Sequence, residues 1–531
     1  MSPRLAFDRR RFLQAAGSLA ILSGLQPARL WAAPAFQSNP FALGVASGDP
    51  WPDGFVIWTR LAPEPLAEHA GMPMLSVPVR WEVSEDEHFG RVVRSGEALA
   101  RPELGHSVHM EVEGLRPHRP YWYRFHVSGQ ATSPVGRVRT APAAGAQVER
   151  LRIGVAGCQH WETGLYTAYR HLSEEAELDA VFHYGDYIYE GKGRDRGTIV
   201  DAAGNPIVRE HAGDEIHTLH DYRRRYAQYK TDPDLQAAHA AAAFLSSWDD
   251  HEIDNNWASS DDQDGTPPEI FALRRHVAMQ AWYENMPVRR AQFPRPGGLT
   301  MHRRLDYGSL LRVHVMDTRQ YRSKQHCDAT MERLGRPCRA ADDIANEQII
   351  GQDQERWLAQ GLQGASGWNL LAQQVMMMPY RYPSSRAAGP LNIDSWSGYP
   401  HARQRVIDLI AQHGRGSVIV ATGDVHKHHV GVVPSVPEDV LSAPVATEFV
   451  TTSISSGGDG SDIPETWESV LAENPHTTLL NDRRGYQVFD IGPEQWRTDV
   501  VAVDRVSVPG GSKRVIASLV TERGRPGVER V

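Results

Sequence analysis

Cysteine is scarce, with three residues among 531. That excludes a disulfide-built scaffold and most multi-cysteine zinc arrays. Positive charge is also short: 56 Lys and Arg face 65 Asp and Glu, for a net charge of −9. Such a chain is a poor candidate for sequence-independent binding to DNA or RNA, which rests on neutralising phosphates. No apolar run reaches the roughly 20 residues that a bilayer-spanning helix needs. Internal repeats and low-complexity blocks are missing as well. What is present is ordinary globular composition, 41% hydrophobic and 23% charged, at a length suggesting two to four domains. The 24 His and 14 Trp stand out. Trp argues for a well-packed interior, and His is a common metal ligand.

The N-terminus reads as an address. Arg9, Arg10 and Arg11 precede Phe12 and Leu13, small apolar residues follow from Ala15 to Leu25, and Ala33-Pro34-Ala35 offers a cleavage site. This is a signal-peptide pattern over residues 1–35, not a membrane anchor. The run Asp8-Arg9-Arg10-Arg11-Phe12-Leu13-Gln14 resembles a twin-arginine export signal. The resemblance implies a folded protein handed to the twin-arginine translocase, and a periplasmic or secreted location without a permanent membrane anchor. In that oxidising setting Cys327 and Cys338, in a polar loop, either pair as a disulfide or stay free, and Cys158 is left over.

Two textures follow. Across residues 36–146 apolar residues alternate with polar ones: Val77, Val79, Trp81 and Val83; Val108, Met110 and Val112; Tyr121, Tyr123, Phe125 and Val127. Period two between Gly and Pro turns predicts half-buried antiparallel strands, hence a small all-β sandwich of immunoglobulin or fibronectin type. It either braces the rest or binds a surface. After the Ala-rich stretch 140–146, residues 147–531 switch to alternating strands and helices. Predicted strands cover 151–156, 180–184, 243–247, 310–316, 369–372, 418–421 and 448–452, and helices cover 163–175, 270–285 and 402–413. The fold class is therefore α/β, layered, with buried strands. Residues 191–214, rich in Gly and charge, are expected to form a long surface loop.

Four predicted strands end at potential metal ligands. They run into Gly157-Cys158-Gln159-His160, Gly185-Asp186-Tyr187-Ile188-Tyr189-Glu190, Trp248-Asp249-Asp250-His251-Glu252 and Gly423-Asp424-Val425-His426. Sites in α/β folds form beyond the carboxyl ends of strands, so these residues are expected to meet. Anionic side chains converging there would repel one another unless cations held them.

Gly185-Asp186-x-x-Tyr189, Asp250-His251-Glu252 and Gly423-Asp424-x-His426 resemble the blocks of calcineurin-like metallophosphatases. Cys158 and the altered middle and last blocks resemble one branch, the PhoD-like alkaline phosphatases and phosphodiesterases. The likeness extends to Gly44–Pro50, Val56–Leu61, Asp221-Tyr222-Arg223, Asp317–Arg322 and Gln373-Gln374. It implies a layered αββα catalytic domain behind the β-sandwich, and hydrolysis of phosphoric esters. A phospholipase D-like phosphodiesterase and a noncatalytic phosphate- or surface-binding protein are the alternatives.

The expected metal ligands are Cys158, Asp186, Tyr189, Asp249, Asp250, Asp424 and His426. Thiolate and phenolate donors suit ferric iron, and aspartates suit one or two calcium ions, with magnesium or manganese as substitutes. Calcium, and Asp186 as bridge, rest on the resemblance. A metal-bound oxo or hydroxide species is the expected nucleophile. His251 or His426 is expected to protonate the leaving group or orient the phosphate, with ligation equally open for His426. Tyr222 and Arg223, in a basic helix-like segment, either touch phosphate oxygens or belong to a solvated face.

Overall fold

Strands that read as buried on both faces form two sheets packed against each other. A computed structural model describes residues 35–127, 129, 131–194, 204, 207–325, 346–364, 367–381, 392–463 and 467–531. The signal-peptide reading, apart from Ala35, and Cys327 and Cys338 lie outside the described residues. Among the described residues there are sheets of ten, seven and five strands. The ten-stranded sheet carries a parallel centre, Leu151–Ala156, Ala180–His183 and Ala243–Ser246. The seven-stranded sheet carries another, Leu311–Val315, Trp368–Ala372, Val418–Thr422 and Pro444–Val450.

The side-chain period of two assigns the faces. Ala180 and Phe182 point into the core between the sheets, beside Ile153, Val155, Leu370, Ile419 and Ala421. Val181 points the other way, toward helices Leu219–Lys230, Pro233–Ala241 and Pro268–Asn285. Val418 and Val420 likewise leave the shared core to meet helices Gly351–Gln363 and Pro400–His413. Each such aliphatic or aromatic side chain contributes about 1.5–3 kcal/mol by leaving water. The layers are helix, sheet, sheet, helix, as expected. Helix Leu219–Lys230 starts at a capping box: Thr218 Oγ1 accepts from the Asp221 amide, and the Asp221 carboxylate accepts from the Thr218 amide.

The N-terminal β region departs from a self-contained sandwich. Its alternating residues do face inward: Val79, Trp81, Val83, Tyr121, Tyr123 and Phe125 share one core with Phe55, Ile57, Val108 and Val112. One of its two sheets is not its own, however. Strand Val45–Trp51 pairs in parallel with Ala243–Ser246, Ser47 opposite Ala243, so strands Val45–Trp51, Gly54–Arg60 and Ser107–Val112 extend the ten-stranded sheet. Only glycine fits at position 48, where a Cβ would lie 2.1 Å from the Pro287 carbonyl oxygen. At the other end Gly485–Ile491 pairs with Leu151–Ala156, and Gln495–Val503 follows it.

The stretch 191–214 is not wholly surface. Within its described part His211 is buried, its Nε2 2.8 Å from the Tyr229 hydroxyl.

Candidate metal centre

The carboxyl ends of the parallel strands of both sheets converge, and short loops there are tied to one another. The Cys158 amide donates to the Gly185 carbonyl at 3.0 Å, and the Gln159 amide to the Asp186 carbonyl at 3.0 Å. The Ile454 amide donates to the Gly157 carbonyl at 3.0 Å, which adds the loop after strand Pro444–Val450. Tyr184 lies between two of these loops: a Cβ on Gly157 would meet its ring at 2.4 Å and one on Gly423 at 2.1 Å. Four of the candidate ligands hold left-handed backbone, Cys158 (φ 50°), Asp186 (55°), Asp424 (69°) and His426 (57°). Such conformations cost about 1–3 kcal/mol each outside glycine and collect at functional sites.

The side chains form two linked groups. In the first, Asp186 Oδ2 lies 3.2 Å from Cys158 Sγ and accepts a 2.8 Å hydrogen bond from Tyr189 Oη. Tyr189 Oη is also 3.1 Å from His426 Nε2 and 2.8 Å from Ser456 Oγ. In the second, one carboxylate oxygen each from Asp249, Asp250 and Asp424 lie within 4.8 Å of one another, and Asp186, Asp250 and His251 meet the same limit. Asp186 and Asp250 therefore join the groups. Arg319 enters the second: its Nε donates to Asp249 Oδ1 at 2.6 Å, and its Nη2 is 3.5 Å from both Asp250 Oδ1 and Asp424 Oδ1.

Burial governs the electrostatics. It pushes the Asp186 carboxyl up to about 7 and the Asp249 carboxyl to about 8, and it drives Asp424, the Cys158 thiol and the Tyr189 phenol well above their ordinary values. Asp250 goes the other way: burial is outweighed by Arg319 and His251, which hold it well below the usual range. Burial and Arg484 push His426 down to about 3, leaving a neutral imidazole. His251 overcomes its burial through Glu190, whose Oε2 is 2.7 Å from Nδ1, and through Asp250.

The donors fit metal ions. Asp186 Oδ1, Asp249 Oδ2, Asp250 Oδ1 and Arg319 Nη2 are buried without a hydrogen-bond partner. Orphaned carboxylate oxygens are costly, and a cation between them removes the cost. The thiol, phenol and imidazole side suits a transition metal, and the carboxylate side a hard divalent cation.

Comparison with known proteins identifies the family. Residues 153–500 match the model of the PhoD-like phosphatase, and residues 25–142 match that of the PhoD-like phosphatase N-terminal domain. The chain is 43% identical to alkaline phosphatase D of Bacillus subtilis (strain 168) over 534 residues, covering 99% of this chain and 89% of that one. A solved structure of PhoD aligns with a TM-score of 0.87 at 43% identity, covering 94% of this chain and 93% of that one. The chain belongs to the PhoD-like phosphatase family.

In this PhoD-like phosphatase all seven residues read from sequence as ligands lie in the two groups, and His251 adjoins them. Tyr222 and Arg223 do not. The Tyr222 hydroxyl is buried and donates to the Ile253 carbonyl at 2.6 Å. Arg223 forms a two-pronged pair with Glu284, 2.6 Å on both nitrogens, toward the N-terminal β region. Helical periodicity explains this: neighbours on a helix face different directions, and the pair Glu284 claims the guanidinium. Several site residues carried no assignment in the sequence. Arg319 lies in the Asp317-Thr318-Arg319 turn beyond strand Leu311–Val315, the same strand-end signal that marked the ligands. Glu252 holds the Asp249 and Tyr187 amides at 2.8 and 2.7 Å. Asp394 and Ser456 stand in loops without any local signal; Asp394 Oδ2 accepts from Arg319 Nη1 at 2.7 Å.

Proposed function

We propose that the clustered loops form the catalytic centre of an exported, metal-dependent phosphoric ester hydrolase of PhoD type. Membership of the family makes the chain a phosphoric ester hydrolase of PhoD type. The reading of its site rests on one observation: seven acidic or imidazole side chains from four strand-end loops meet around orphaned carboxylate oxygens. Cys158, Asp186, Tyr189 and His426 would hold ferric iron. Asp249, Asp250, Asp424 and the shared Asp186 would hold calcium, or magnesium or manganese. Bound cations offset phosphate charge and make a water molecule acidic enough to act as nucleophile near neutral pH.

The remaining work falls to the chain. Glu190 fixes His251 through Nδ1, which leaves Nε2 to hold a proton for the departing ester oxygen. Arg319 keeps the aspartates apart and supplies one fixed positive charge to their group. Ser456 and Asp186 fix the Tyr189 hydroxyl from two sides. Residues 1–35 support delivery by the twin-arginine translocase, and no helix among the described residues is long and apolar enough to cross a membrane.

The test is Asp186→Asn and Cys158→Ser in purified protein, with elemental analysis beside turnover of a small aryl phosphate monoester and its diester. Asp186→Asn is expected to lose turnover with an unchanged circular dichroism spectrum. Cys158→Ser is expected to lose iron while keeping the divalent metal. Full turnover by Asp186→Asn, or iron retained without Cys158, would overturn the assignment.

A further inference from the structure

Arg223, left outside the metal centre, belongs to a different feature. A cavity of about 190 Å³ lies between the N-terminal β region and the start of helix Leu219–Lys230. Arg60, Arg223, Arg224, His69, His106 and His220 line it, and no Asp or Glu side chain does. Arg60 decides its character. It is 3% exposed, with Nε on the Gly105 carbonyl at 2.9 Å and Nη1 on the Arg223 carbonyl at 3.0 Å and on Asn285 Oδ1 at 3.3 Å. Among the described residues no partner meets its Nη2. Glu284, the carboxylate that acts on it electrostatically, is taken in both oxygens by Arg223. One buried guanidinium therefore has no carboxylate of its own and opens onto a cavity.

An unpaired buried charge is costly, and a bound anion would offset it. The walls suit a compact anion. Arg60 offers its Nη2, and Arg224 adds at the rim a guanidinium fork of the kind that matches oxyanions, only loosely held by Asp221 at 3.8 Å. The volume is below the roughly 300–1,000 Å³ typical of sites for larger organic ligands. The outer wall is the loop through His69 and Ala70, both in left-handed backbone (φ 50° and 56°). The geometry points to a second, noncatalytic site here for a tetrahedral oxyanion such as phosphate, bound between the two domains. It shares no lining residue with the metal centre.

The test is calorimetric titration of the metal-loaded full-length protein with inorganic phosphate, with acetate as control, at constant ionic strength. Two classes of phosphate site are expected in the parent protein. Arg224→Gln should weaken one class by about tenfold, as for loss of a charge-assisted contact. Ala67→Trp, which fills the cavity from a partly exposed loop position, should abolish that class even if an arginine variant folds poorly. Both variants should hydrolyse a small aryl phosphate within about twofold of the parent rate, since neither residue lines or contacts the metal centre. A single class of site in the parent, both classes surviving in both variants, or acetate binding as well as phosphate would overturn the proposal.

Discussion

Above pH 8, where the Asp249 carboxyl is ionised, Arg319→Gln is expected to destabilise the chelator-treated protein by about 3–5 kcal/mol, the range for removing one partner of a buried ion pair. The structure supports the upper half of the possible effects. Arg319 and Asp249 are both fully buried and 2.6 Å apart, and among the described residues Asp249 has no other side-chain cation. Asp394 loses less, because Arg322 still donates to its Oδ1 at 2.8 Å. Arg170→Gln is the matched control. Arg170 holds Asp234 with two bonds of 3.0 and 2.9 Å, but its side chain is 46% exposed. A pair so placed contributes about 0–1 kcal/mol, since water screens it. Urea unfolding followed by tryptophan fluorescence reads both variants. The chelator matters, because bound cations would otherwise take over the carboxylates that Arg319 serves. Equal, small losses in the two variants would refute the claim that burial, not bond count, sets the worth of Arg319.

Gly423→Ala should cost about 1–3 kcal/mol by overpacking and lower turnover, because the new methyl would meet the Tyr184 ring at 2.1 Å and push the Asp424 loop outward. Unchanged melting and rate would sink that reading. Three buried histidines should cost the fold stability in acid before exposed carboxylates titrate. Burial pushes His183, His314 and His429 from 6.5 down to about 3, so the unfolded chain takes up protons below pH 6.5 that the folded chain refuses. Their contribution to stability is full above pH 6.5 and is lost progressively toward pH 3, by up to about 1.4 kcal/mol per group for each pH unit. Urea midpoints at pH 7 and pH 5 test this, and His314→Gln should flatten the slope; an identical slope would contradict it.

Much of the site was legible because its signal is local. Strand Leu151–Ala156 has the bounds expected from its apolar run, and Ala180–His183 and Ala243–Ser246 end within a residue of theirs. Each is followed within three residues by a candidate ligand, so direction along the strand already located the side chain. The period-two pattern of residues 120–127 likewise gave the buried face correctly. Tyr222 and Arg223 misled because a basic helical run reports charge but not which neighbour claims each side chain. Asp394 and Ser456 were invisible, being placed by contacts across distant loops. The sharing of one sheet between the two domains was hidden for the same reason. Parallel pairing of Val45–Trp51 with Ala243–Ser246 leaves no trace in either segment's own pattern.

That shared sheet ties the timing of folding to synthesis. Leu151–Ala156 is bordered on one side by Ala180–His183, made soon after it, but on the other by Gly485–Ile491. A nascent chain still missing its last segments has an open hydrogen-bonding edge beside the Cys158 loop, and such edges recruit other strands. The loops of the candidate metal centre can therefore be braced from both sides only once Gly485–Ile491 has been made, long after the Cys158 loop itself.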